Sequence, residues 1–168
     1  MNKHLQSLIQ IANLDKQIDG LEPKIAQVRK ELDANIAQKN SLLHTIQTLQ
    51  EESTQLQYEI QQNDRLIHDN ATRLEDISKK QQEVRNEKEL RALSVEEDIA
   101  KENLTLANEQ IQRLQTRQKA KHEQIAQLQE DSLKSTNESL RKKDLEIKNL
   151  KINNQKAQNI KNHLSYKL

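Results

Sequence analysis

The side chains best suited to acid–base or metal chemistry in this chain are five histidines: His4, His44, His68, His122 and His163. No two lie three or four residues apart, so no helical turn presents a pair to one metal ion. The chain has no cysteine, which removes thiolate nucleophiles, disulfides and thiolate metal sites. The acidic run Glu96-Glu97-Asp98 could attract a cation. On a helix, however, its members point in different directions. The run is more simply the negative start of a helix, where the macrodipole favours carboxylates. The one glycine, Gly20, provides neither a phosphate-cradling loop nor a nucleophile elbow. No enzymatic role and no cofactor are expected.

Charge offers a different chemistry. Residues 133–168 hold nine Lys/Arg against three Asp/Glu, a net of +6. The whole chain is +1, so residues 1–132 carry −5. Arg141, Lys142, Lys143, Lys148 and Lys151 are the candidate contacts for nucleic-acid phosphates or an acidic protein surface. The bland alternative is a solvated terminal helix. Single-strand readers add aromatic stacking platforms, and only Tyr166 is at hand. Sequence-specific RNA reading is therefore not expected.

The elements that carry these residues follow from what the chain lacks. It has 168 residues, 33% hydrophobic and 32% charged, with one proline, Pro23, and two aromatics, Tyr58 and Tyr166. Sheets, sandwiches and α/β enzymes need turns rich in Gly, Pro, Asn and Asp. After Pro23 nothing breaks the chain strongly. No apolar run approaches the roughly 20 residues that span a bilayer, and the start lacks a signal peptide. A cytoplasmic protein without membrane contact is expected.

Hydrophobic spacing decides between disorder and helix. Steps of three and four from Ile11 give one series through Ile18, Ile25, Leu32, Lys39, Ile46, Ser53, Ile60, Ile67, Leu74 and Gln81. The other runs Leu14, Leu21, Val28, Asn35, Leu42, Leu49, Leu56, Asn63, Asn70, Ile77 and Val84. Sixteen of these 22 positions are apolar, where a chain one-third apolar would fill about seven by chance. Such a sustained pattern is the signature of a coiled coil.

After Val84 the frame would demand Lys88 and Arg91; the apolar residues move instead to Leu90 and Leu93. A second frame runs on through Glu97, Ala100, Leu104, Ala107, Ile111, Leu114, Gln118, Lys121, Ile125 and Leu128. It skips one residue and resumes at Leu133, Leu140, Ile147, Leu150, Ala157 and Leu164. One skip alters supercoiling without ending a helix.

The phase break sits at the chain's midpoint, which suggests a single all-α domain folded as a long antiparallel two-helix coiled-coil hairpin, an elongated rod. Arm one covers about 5–84, the tip about 85–89 and arm two about 90–164. Asn86 with Glu89 is the preferred helix start. Ser94 with Glu97 is the better capping box by residue type, but it would leave Leu90 and Leu93 in the loop. One continuous helix in a parallel dimer is the alternative fold.

Polar seam residues cost stability but fix register. Folding about residue 86 places Asn70 opposite Asn103, where an amide pair could lock the register; alternatively the polar residues merely loosen the coil. Pro23 removes a backbone donor, yet the heptads keep phase across it, so a kink is expected, with a hinge as the functional alternative. Surface pairs spaced i, i+4, among them Glu87–Arg91, Glu97–Lys101 and Asp144–Lys148, support the helices.

Two stretches carry a family resemblance: LDKQIDGLEPKI at 14–25 and EKELRALSVEEDIAKE at 87–102. Both resemble the coiled-coil hairpin of a bacterial family that ends in a four-cysteine zinc ribbon, and its flagellar-biogenesis regulators most closely. The resemblance implies a hairpin fold and binding to the alternative sigma factor of the flagellar regulon. It also implies a link to flagellin messenger RNA. The absence of cysteine reads as a member without its ribbon, or as only the coiled-coil part of one.

The expected function is a non-enzymatic interaction protein, with a self-associating structural spacer as the alternative and a homodimer as one assembly to test. The candidate partner-binding residues are Arg85, Asn86, Glu87, Lys88, Glu89, Leu90, Arg91 and Leu93, because the tip of a hairpin is not covered by a partner arm. Alternatively, Leu90 and Leu93 simply close the last layer of the seam.

Overall fold

The computed structural model describes residues 2–168. Three α-helices, α1 (Lys3–Glu83), α2 (Glu87–Gln127) and α3 (Lys134–Tyr166), account for most of them. A π-helical turn, Leu128–Leu133, joins α2 to α3. The protein is all-α, with no strand among the described residues. All 22 positions of the first seam, 21 of them in α1 and the last at Val84, are buried or half-buried. An apolar stripe repeating every three and four residues is thus covered along 81 residues of helix.

The tertiary contacts divide into two compact units: Thr45–Gln127, and the segment up to His44 together with Leu128–Leu168. The first is a helical hairpin. The second half of α1 turns at residues 84–86 and returns antiparallel as α2. Leu56, Ile60 and Leu114 form its buried cluster of large side chains, with Leu114 only 1% exposed. Nearer the turn, Ala100 and Ala107 replace large side chains in the buried seam.

Antiparallel register shows in the cross-helix pairs of this unit. Ser53 Oγ lies 2.8 Å from His122 Nε2. Lys121 pairs with Glu52, and Gln118 donates to Gln57 at 2.9 Å. Ser53 is buried, so His122 supplies the partner that a buried hydroxyl requires. The Asn70–Asn103 amide pair expected from register is not what forms. Asn70 turns its amide back to the Leu66 carbonyl of its own helix at 2.7 Å, and Asn103 is exposed. Asn63 does the same with the Glu59 carbonyl at 2.9 Å. Such i−4 bonding satisfies a seam amide without a cross-helix partner.

In the other unit the first half of α1 pairs antiparallel with α3. Asp15 meets Lys161, Glu31 meets Lys143, and Asn35 donates to Ser139 at 2.8 Å. Ile18, Val28, Ile147 and Ala157 are buried here. The one-residue skip in the heptads falls in the π-turn. A π-turn accepts one extra residue per turn while the chain stays helical, so Leu133, Leu140, Ile147, Leu150, Ala157 and Leu164 all remain covered. α1 continues through Pro23 without a break. Among the described residues no helix is long and apolar enough to cross a membrane.

Candidate functional site

The turn of the hairpin is the site that the sequence singles out. At the turn only Val84, Arg85 and Asn86 leave the helical conformation, a shorter break than the expected 85–89. α2 therefore starts at Glu87, three residues before the expected start of arm two. Capping explains the early start. Asn86 Oδ1 accepts the Lys88 N–H at 2.9 Å, and the Asn86 carbonyl accepts the first helical bond, from Leu90 N–H, at 3.0 Å. The Lys88 N–H, one of the donors that a helix start would otherwise expose, is thereby satisfied. Ser94 lies inside α2. No described residue has positive φ, so the turn has no need of glycine.

This geometry lays out the eight candidate tip residues. Arg85, Asn86, Glu87, Lys88, Glu89, Leu90 and Arg91 are exposed, and Leu93 is half-buried. The two leucines differ in role. Leu93 closes the seam, while Leu90 stays 43% exposed beside it. Glu87 and Arg91 pair at 2.7 Å with both side chains 78% exposed. An ion pair so wet stabilises little and leaves both groups available to a partner. A shallow groove of about 310 Å³ opens at the turn, lined by Lys80, Glu83, Val84, Glu89, Ala92 and Leu93. Its floor is apolar and its rim carries both signs of charge. Lys80, Glu83, Val84 and Ala92 were not among the residues expected there. Val84, the last apolar residue of the first frame, is the sequence signal that could have pointed to them.

Beneath the groove a polar cluster fixes the register of the turn. Glu97 accepts from the Gln81 amide at 2.9 Å and from Lys101 at 2.6 Å. The Lys101 ammonium, and then the Gln81 amide, hold the Glu97 carboxyl below its ordinary value. Glu97 in turn holds Lys101 above its own. The run Glu96-Glu97-Asp98 is thus split. Glu97 serves the seam, Glu96 approaches Arg73 at 4.0 Å, and Asp98 is exposed. Among the described residues no three His, Asp or Glu side chains converge as a metal site requires.

The candidate phosphate contacts on α3 are not equivalent. Lys143 is half-buried and bound to Glu31, which raises its pKa while its ammonium lowers that of Glu31. Lys148 pairs with Asp144 at 3.0 Å. Arg141, Lys142 and Lys151 are exposed.

No family model and no curated protein matches the chain. A solved structure does, that of the HP0958 protein from Helicobacter pylori. The two are 37% identical with a TM-score of 0.65, and the match covers 99% of this chain and 71% of that one. At that identity and coverage, the chain belongs to the same family as the Helicobacter pylori HP0958 protein.

Proposed function

We propose that this chain is a non-enzymatic interaction protein that docks a regulatory protein at the hairpin turn. The observation that carries the reading is the coincidence of Leu90, 43% exposed, with an apolar groove beside it and exposed charges around it. EKELRALSVEEDIAKE, the stretch that resembles flagellar-biogenesis regulators, supplies Glu89, Ala92 and Leu93 of this groove's lining. On that resemblance, the partner class is an alternative sigma factor of the flagellar regulon, met in the cytoplasm, and no cofactor takes part. Flagellin messenger RNA is the further candidate, through Arg141, Lys142 and Lys151.

The test replaces Glu87, Lys88 and Arg91 together with alanine. All three are exposed and outside the seam, and alanine is the best helix former. Helicity should hold, while affinity for the sigma factor falls at least tenfold, about 1.4 kcal/mol. Reversal of Arg141, Lys142 and Lys151 should have a smaller effect that fades with salt. If the turn variant binds normally and the basic-end variant does not, the docking site is at the basic end. Wild-type protein that retains no partner supports the structural spacer instead.

A further inference from the structure

Two helix faces turned away from the seams carry large apolar side chains that neither unit uses. On α2, Val95, Ile99, Glu102, Leu106 and Glu109 recur in steps of four and three, so they share one face. On α3, Arg141, Leu145, Lys148 and Ile152 do the same. The five apolar members are between 48% and 59% exposed.

The two faces have one pattern and opposite charge. Ile99–Glu102–Leu106 and Leu145–Lys148–Ile152 each set two apolar residues seven apart, with a charged residue three after the first. Asp98 and Glu109 extend the acidic face; Lys142 and Lys156 extend the basic one, and all four are exposed. Lys148 is held by Asp144, but both remain more than half exposed. Leu106 also edges a groove of about 520 Å³, with Asn63, Leu66 and Asn70 opposite it.

Apolar residues seven apart are what a second helix with the same repeat recognises. Opposite charges beside them select the partner and its orientation. We propose that the α2 face of one copy docks on the α3 face of a second copy of this chain. Each copy carries both halves of the contact. With two or three apolar side chains per face, the association is weak and transient in class, and it weakens as salt screens the flanking charges. An anionic lipid surface or RNA would use the basic face alone and leave the acidic apolar face on α2 without a role.

The experiment is sedimentation of the full chain with two charge-reversed variants. One carries Lys142→Glu, Lys148→Glu and Lys156→Glu; the other carries Asp98→Lys, Glu102→Lys and Glu109→Lys. Each alone should self-associate at least tenfold more weakly than wild type. Their equimolar mixture should associate within threefold of wild type, because the reversed faces again attract. Leu145→Gln with Ile152→Gln, at positions already in water, should weaken association tenfold with helicity intact. The proposal is overturned if wild type stays monomeric at millimolar concentration, if neither reversal matters, or if the mixture fails to recover. It is equally overturned if wild type binds anionic vesicles or RNA through the basic face without self-associating.

Discussion

Gln81 and Glu97, sixteen residues apart and on opposite helices, are joined across the turn by a 2.9 Å hydrogen bond. Both occupy seam positions that a leucine would fill in a simpler coil. The pair fixes which residue of α2 faces which residue of α1 at the start of the hairpin. Gln81→Ala should leave Glu97 without its cross-helix partner and lower hairpin stability by about 1 kcal/mol, read by urea melting. Gln82→Ala, on an exposed position next to it, should change nothing measurable.

The stability of the fold should form a plateau in pH with two falling edges. Glu31 and Glu97 have lowered pKa values, so their contribution is present above the ordinary carboxylate value and is lost as pH falls through the lowered one. Lys143 and Lys101 have raised values, so their contribution is present below the ordinary lysine value and is lost as pH rises through the raised one. Melting temperatures by circular dichroism should show both edges. Glu31→Gln with Glu97→Gln should flatten the acid edge.

The start of α2 depends on one side chain. Asn86→Ala removes the acceptor for the Lys88 N–H and should cost about 1 kcal/mol. Ser94→Ala, inside the helix, should be neutral or slightly stabilising. Equal losses at both positions would mean that the helix starts elsewhere.

Near the N-terminus the chain keeps two poor helix formers that its packing does not require. A Cβ added at Gly20 meets nothing within 4 Å, so Gly20→Ala should stabilise by about 1 kcal/mol. Pro23 is exposed within α1. Pro23→Ala should restore a backbone hydrogen bond and add up to about 3 kcal/mol. Loss of stability in either variant would show that the local backbone is held by contacts elsewhere.

Removing Gln129, an exposed residue of the π-turn, should convert Leu128–Leu133 to ordinary α-helix and leave the melting temperature equal or higher. An alanine inserted after Gln112, inside the seam of α2, should lower it sharply, because every later seam residue rotates away from its partner. Similar effects at the two sites would contradict the assignment of the heptad skip to the π-turn.

The heptad count indicated the covered residues of α1, the neighbourhood of the turn and the residue skip, because burial in a two-helix seam is a matter of period; the Asn86 cap followed from capping chemistry together with the frame. It missed where seam amides send their hydrogen bonds. Asn35 reaches across to Ser139, whereas Asn70 turns back to Leu66. That choice depends on side-chain torsion and on the space opposite, which spacing does not encode. The pairs Glu52–Lys121 and Glu31–Lys143 escaped for another reason. Cross-helix partners follow only once the number of residues in the turn is known.

The small residues in the seam give the hairpin a graded lifetime. Leu56, Ile60 and Leu114 form a dry layer, whereas toward the turn the seam passes through Ala107 and Ala100 to Glu97 and Gln81. Less apolar surface is withdrawn from water there, so local opening costs less. Amide protons of α2 near Glu97 should therefore exchange with solvent earlier than those near Leu114. The end that would meet a partner is the end that opens first, and a bound partner would be felt most strongly as slowed exchange in that last stretch of helix.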